Sequence, residues 1–271
     1  MFATGKNKLE SVDKDNVLGQ MTAEDFATFF RNGWQQGVII KDDGKVDSRQ
    51  VDINGQQYFA KCYSFSGAFA AWCFNKGIHK YNRMLSIARL MYLCGVQVPR
   101  LLRVLNDVAA RKLYVVYTYE AGGKDLRCLI GEKLNCHFDE HNISEKIAGQ
   151  MALLHGKAHV LHGDFKWANI LYDESTHRII LVDIDGARKL SASSKGFCRD
   201  VARFILDCEE AGLSHDRVRR VLVVYAEKTG QQYDAVEAGI NKYYIRLKQR
   251  HDNQYGKDFK LSNPYKSNGP S

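Results

Sequence analysis

One His-Gly pair is followed at close spacing by Asp164, Lys166 and Asn169, and a further aspartate, Asp183, follows a short apolar run. These are the parts that phosphoryl transfer needs. Asp164 can orient an attacking hydroxyl and accept its proton, and Lys166 can offset charge on the moving phosphoryl group. Asn169 and Asp183 supply hard oxygen ligands for magnesium. The intervening NILYDESTHRIILVD is long enough for one hairpin, which returns both ligands to the same end of two short strands. Asp185 stands two residues beyond Asp183. On a strand end that spacing puts both carboxylates on one face, where like charges favour a cation between them and give Asp185 an auxiliary magnesium role.

The elements that must position these residues are legible as patterns. MTAEDFATFFRNGW (21–34) reads as a short helix, with Thr22 as its cap and Glu24 and Asp25 in its first turn. GVIIKDD (37–43) and VDINGQQYFAKCY (51–63), the latter folded at Asn54-Gly55, read as consecutive antiparallel strands. Residues 79–95 are apolar at Met84, Ile87, Leu90, Met91 and Cys94, a helical period that ends at Gly95. Two more strands are expected over 96–105 and 113–119, then a hinge at Glu120-Ala-Gly-Gly, where two glycines relax the backbone. Helices are expected over 143–155, 196–212, 214–230 and 235–251, and a polar tail over 252–271 is expected to be disordered. Strands first and helices afterwards predict an α+β chain of two lobes.

The motif HGDxKxxN, carried here by His162, Gly163, Asp164, Lys166 and Asn169, together with the I-D-x-D variant of the metal strand, resembles the bacterial lipopolysaccharide kinase family. This is the Kdo/WaaP group with its InaA-like members, within the protein-kinase-like superfamily. The resemblance covers residues 35–210. It implies a protein-kinase-like bilobal fold, with an N-terminal helical extension (1–35), a small antiparallel-sheet N-lobe (36–120) and a mainly helical, reduced C-lobe (121–251). It also implies ATP and magnesium as cofactors, with Lys61 binding the nucleotide's phosphates from the third strand. A lysine ending a strand is otherwise most often a solvated edge charge. Gly44 stands where a glycine-rich phosphate loop would lie, although one glycine between strands is more often just a turn. Glu120, at the hinge, completes the expected nucleotide-binding set. His155 and His162 fit a pattern in which histidines pack and bond backbone, and no cysteine or carboxylate joins them locally as zinc would require. Asp200, at the start of the helix over 196–212, is expected as a carboxylate favoured by the helix dipole; the alternative is an anchor for the catalytic loop.

The sequence departs from the pattern at one place. Residues 62–106 contain no carboxylate, so the glutamate that usually pairs with the strand lysine is missing from the following helix. A carboxylate from elsewhere, such as Glu24, is one replacement.

That same segment carries Lys76, Lys80, Arg83, Arg89, Arg100 and Arg103, and so concentrates much of the chain's formal charge of +8. A clustered basic field favours anionic partners. With the short stretch after Asp185 and no Ala-Pro-Glu beyond it, this suits a small or glycan acceptor, which the resemblance implies is a sugar hydroxyl of an anionic glycolipid, in the inner core of lipopolysaccharide. Phe69, Trp72 and Phe74 are either part of that surface or core. A cytoplasmic protein with peripheral contact at the inner face of the inner membrane is expected. The seven cysteines form no CxxC pair, consistent with reduced thiols. No nucleic-acid motif accompanies the basic charge, and no nucleic-acid partner is expected. A compact Ser/Thr/Tyr protein kinase and a nucleotide-binding scaffold without turnover are the rival readings.

Overall fold

The computed structural model describes residues 28–30, 33–44, 46–75, 80–190 and 196–265. Most of the helix expected over 21–34, including Thr22, Glu24 and Asp25, lies outside them, and Thr28–Phe30 are helical. The chain divides into two compact units, one of residues 1–82 with 99–120 and the other of 83–98 with 121–271. The second unit thus includes residues 83–98, which the expected N-lobe contained.

The first unit is a five-stranded antiparallel sheet: β1 (Val38–Asp42), β2 (Val46–Ile53), β3 (Gln56–Ser64), β4 (Leu101–Asp107) and β5 (Lys112–Thr118), in the order β1-β2-β3-β5-β4. The Asn54-Gly55 turn sets the β2–β3 register, with Ile53 opposite Gln56 and Ser48 opposite Lys61. Alternation then sorts the side chains. Val51, Ile53, Tyr58, Ala60, Cys62, Tyr114 and Val116 bury one face beneath Phe30 and Trp34. A buried ionic clamp ties that cover down. Asp47 accepts from Trp34 Nε1 at 2.8 Å and pairs with Arg49 at 2.9 Å, while Arg49 also donates to the Trp34 carbonyl at 3.1 Å. Helix α1 (Ala68–Asn75) follows β3 and buries Phe74 against Phe65, with ring centroids 4.5 Å apart. Phe69 and Trp72 are not core: they are 78% and 52% exposed and stack on one another.

The second unit begins with most of helix α2 (Lys80–Leu93), whose Ile87, Ala88 and Met91 join its core. Glycine at 95 ends the helical period as the sequence predicts, with a φ of 84°. Helices α3 (Leu134–Glu140), α4 (Ile143–Ala152), α5 (Phe197–Ala211), α6 (His215–Thr229) and α7 (Tyr233–Tyr255) form the rest of its helical body. A small sheet of β6 (Gly123–Asp125), β8 (Ile170–Asp173) and β9 (Arg178–Leu181) carries the expected hairpin, and β7 (Val160–Leu161) pairs with β10 (Arg188–Lys189). Asp173 closes the hairpin turn by accepting from the Ser175 and Thr176 hydroxyls, bonds that hold its carboxyl well below the usual range.

The tail expected to be disordered from 252 is instead tied down as far as residue 265. Helix α7 continues to Tyr255. Beyond it the Leu261 amide donates to the Glu210 carbonyl, Asn263 to the Cys128 carbonyl at 2.7 Å, and the Tyr265 hydroxyl to Asp125 at 3.0 Å. Polar composition suggested disorder because these bonds run to residues far away in sequence. Residues 266–271 lie outside the described residues.

Candidate active site

The segment HGDFKWAN is held by what it buries. Phe165 and Trp167 are fully buried, Phe165 against Phe204 and Trp167 between Phe138 and Phe204. With these two turned inward, Asp164 and Lys166 face outward, with side chains 43% and 35% exposed. Asp164 Oδ2 receives Lys166 Nζ at 2.7 Å and Asn169 Nδ2 at 3.1 Å. No described residue donates to Oδ1, so that oxygen could accept from an incoming hydroxyl. Asn169 Nδ2 also donates to the Asp164 carbonyl at 2.9 Å. Both bonds fix the amide with its Oδ1 left over as an oxygen ligand.

The hairpin returns the chain so that Asp183 directly follows the residue bonded to the Asn169 backbone. Ile170 pairs with Leu181, the Val182 amide donates to the Asn169 carbonyl at 3.0 Å, and the buried His162 ring contacts the Val182 carbonyl through Nε2 at 3.0 Å. Burial lowers the His162 pKa, and a neutral ring with its proton on Nε2 makes that bond. Asp183 itself takes the left-handed conformation, φ 57° and ψ 52°, and Ile184–Gly186 form a 3₁₀ turn. The strand therefore stops at Leu181, and the strand-face argument for Asp185 does not hold. Asp185 sits within the turn, where alternation no longer dictates that it share a face with Asp183. The arrangement fits magnesium, which is commonly held by one or two protein oxygens with substrate phosphates and water filling the remaining positions. Asn169 Oδ1 and the exposed Asp183 carboxylate are such donors. Among the described residues no cluster of three His, Cys, Asp or Glu side chains could hold a metal ion.

The backbone of the loop is anchored from α5. Asp200, 1% exposed, accepts from the amides of His162 at 2.6 Å and Gly163 at 3.0 Å, and contacts His155 Nε2 at 3.3 Å. The helix-dipole reading of Asp200 is thus insufficient: it is an anchor. Asp207, two turns further along the same helix face, accepts from the Trp167 amide at 2.7 Å and pairs with Arg203. Sequence reasoning missed Asp207. The available signal was two aspartates seven apart in an otherwise apolar stripe, where each must have a partner to be buried.

Gly163 is required by shape. Its φ is +90°, and a Cβ there would lie 2.7 Å from the Gly186 carbonyl oxygen. Gly163→Ala is therefore expected to destabilise this unit by about 2–3 kcal/mol and to lower turnover, because the loop and the 3₁₀ turn must separate. A urea midpoint measured alongside initial rates checks both effects; an unchanged midpoint would contradict the close approach.

The expected nucleotide residues lie in the first unit. Lys61 is 7% exposed on β3, the central strand of its sheet, on the face opposite Ala60 and Cys62. It is not a solvated edge charge, and a buried ammonium has to be met by anionic or acceptor groups. Glu120 accepts from the Thr118 hydroxyl at 3.1 Å. Gly44 occupies a left-handed turn, φ +75°, with its amide donated to Asp42 at 2.9 Å, and the Val46 amide is donated to Asp43 at 2.8 Å. Phosphate contact at this loop would require those bonds to open. Glu24, the candidate partner of Lys61, lies outside the described residues.

A five-stranded antiparallel sheet unit, a helical unit, and an Asp-Lys-Asn loop beside an aspartate-bearing hairpin define the protein-kinase-like fold. Among solved structures, WaaP in complex with acyl carrier protein shares it, with a TM-score of 0.59 and 17% identity over 79% of this chain and 88% of that one. The EKC/KEOPS complex subunit bud32 of Dictyostelium discoideum is 24% identical over 150 residues, 54% of this chain. The match spans 58% of that relative's length. No protein-family model matches the sequence.

Proposed function

We propose that the protein is an ATP- and magnesium-dependent phosphotransferase acting on a sugar hydroxyl, in the inner core of lipopolysaccharide. The observation that carries this reading is the Asp164 carboxylate, with one oxygen held by Lys166 and Asn169 and the other open. An acceptor hydroxyl bonded to Oδ1 is oriented for attack and loses its proton there as the new phosphate ester forms. Lys166, adjacent to the same carboxylate, offsets charge on the phosphoryl group during transfer. Asn169 and Asp183 would hold magnesium, and the ion would supply neutralisation of phosphate charge when bound. Lys61 and Glu120 are assigned to the nucleotide, Lys61 to its phosphates. Gly44 contributes an amide only if its turn opens.

The acceptor assignment draws on the motif's resemblance, the shared fold of WaaP and the basic segment 62–106. Exposed, stacked Phe69 and Trp72 on α1 suit insertion at a membrane interface that presents an anionic glycolipid. No helix among the described residues is long and apolar enough to cross a membrane. The two relatives' names also favour a second reading. One is a subunit of a complex and the other is bound to a carrier protein, so a protein acceptor or a scaffold role is the alternative.

Purified protein incubated with labelled ATP, magnesium and lipopolysaccharide is expected to label the glycolipid. Label in protein with the glycolipid untouched would move the assignment to a protein kinase. Nucleotide binding with no transfer to either would favour the scaffold.

A further inference from the structure

The second unit contains a cleft of about 910 Å³, whose lining includes Lys146 of α4, Lys157 and Lys228 at the end of α6. The catalytic loop residues are absent from its lining. Its one carboxylate, Glu145, is held by Arg220 at 2.7 Å. Its Arg178 is met by Asp173 at 3.5 Å and by the Thr176 hydroxyl at 3.1 Å. The three lysines have no ion-pair partner among the described residues. They come from three different elements onto one concavity, which makes it a region of uncompensated positive charge.

The position of the cleft gives it a second property. Lys157 belongs to the π-helical turn Leu153–Lys157, a geometry frequent at functional sites. Two residues earlier in that turn, His155 bonds Asp200 through Nε2 at 3.3 Å and the Tyr225 hydroxyl through Nδ1 at 3.1 Å. Tyr225 lies one helical turn before Lys228 on α6. Asp200 in turn holds the His162 and Gly163 amides. An anion bridging Lys157 and Lys228 would therefore draw together the two elements that His155 joins, next to the anchor of the catalytic loop.

We propose that this cleft is a second anion site, taking a phosphate group among Lys146, Lys157 and Lys228, and that its occupancy stiffens the catalytic loop through His155 and Asp200. The phosphate group is carried either by a small soluble molecule or by a lipid headgroup. The proposal goes beyond the phosphotransferase reading and is measured without turnover, so either can fail alone.

The probe is inorganic pyrophosphate, titrated calorimetrically into the full chain at about 0.15 M salt, where exposed charges are screened beyond about 8 Å, and without magnesium. One site is expected. Lys157→Gln with Lys228→Gln should weaken it by at least tenfold, since each lost charge-assisted bond is worth about a factor of ten or more. Lys61→Met, which alters the nucleotide's phosphate lysine, should leave it unchanged. Hydrogen exchange at residues 160–166 should slow on binding in the native chain and stay unaltered in the double lysine variant. Flotation with vesicles containing phosphatidic acid, compared with pyrophosphate in solution, tells whether the group arrives on a lipid or free, and either source must depend on Lys157 and Lys228. Binding that survives the double variant, binding lost in Lys61→Met, no binding of either probe, or binding without protection of the loop would each overturn the proposal.

Discussion

Asp164→Asn is expected to lower turnover by roughly 10²–10⁴ while magnesium-dependent nucleotide binding survives. The substitution keeps the side chain's shape, and an amide oxygen can still accept from Lys166 and from Asn169 Nδ2, which now lie 2.7 and 3.1 Å from Oδ2. The loop therefore stays in place. What is lost is the open oxygen: the amide nitrogen that replaces it donates and cannot take a proton from the acceptor hydroxyl. Lys166 also loses the charge of its partner, and its ammonium becomes freer to wander from the phosphoryl path. Asp183→Asn should behave differently, weakening magnesium-dependent nucleotide binding first, because a neutral ligand replaces a charged one. Steady-state kinetics beside a nucleotide titration separate the two. Full turnover in folded Asp164→Asn would remove the aspartate from the chemistry altogether.

The segment proposed to carry the chemistry is legible in the sequence because it is local. Asp164, Lys166 and Asn169 sit in one short segment, and a single hairpin with apolar strands brings Asp183 back to it. The β2–β3 hairpin was legible for the same reason, since an Asn-Gly turn fixes its register without help from elsewhere, but β2 begins at Val46, before the expected start at 51, and β4 begins at Leu101, after the expected start at 96. What escaped is what depends on distant partners. Asp185 followed a strand rule, but the strand ends at Leu181 and a left-handed Asp183 starts a turn. Residues 252–265 looked disordered by composition, yet Leu261, Asn263 and Tyr265 find partners as far back in the chain as Asp125. Gly44 shows the reverse case. Its presence matched a phosphate loop in outline, while the neighbouring Asp42 and Asp43, visible in the same line of sequence, are the groups that take the Gly44 and Val46 amides. The arrangement of Lys61 and Glu120 with respect to the catalytic loop rests on the functional reading, since these residues belong to a different unit.

Asp200→Ala is expected to destabilise the helical unit by about 3–5 kcal/mol, the range for removing one partner from a buried charged network. The helix-dipole reading makes Asp200 a carboxylate attracted to the start of its helix, an interaction typically worth about 0.3–1 kcal/mol. The two readings therefore differ by several-fold in magnitude, and one measurement decides between them. In the anchor reading, alanine leaves the His162 and Gly163 amides and the His155 ring without the oxygens they now meet at 2.6, 3.0 and 3.3 Å. Each such group left unsatisfied in the interior costs about 1–3 kcal/mol, and the costs of neighbours do not add fully. Asp200→Asn should fall between, because one oxygen still accepts while the NH₂ faces a donor. Turnover should drop with stability, since Gly163 is the residue immediately before Asp164 and a loosened backbone there misplaces the carboxylate. Urea unfolding of the native chain and both variants, with amide exchange at His162 and Gly163, provides the measurement. A loss of less than about 1 kcal/mol in Asp200→Ala, with those two amides still protected, would return Asp200 to the helix-dipole role.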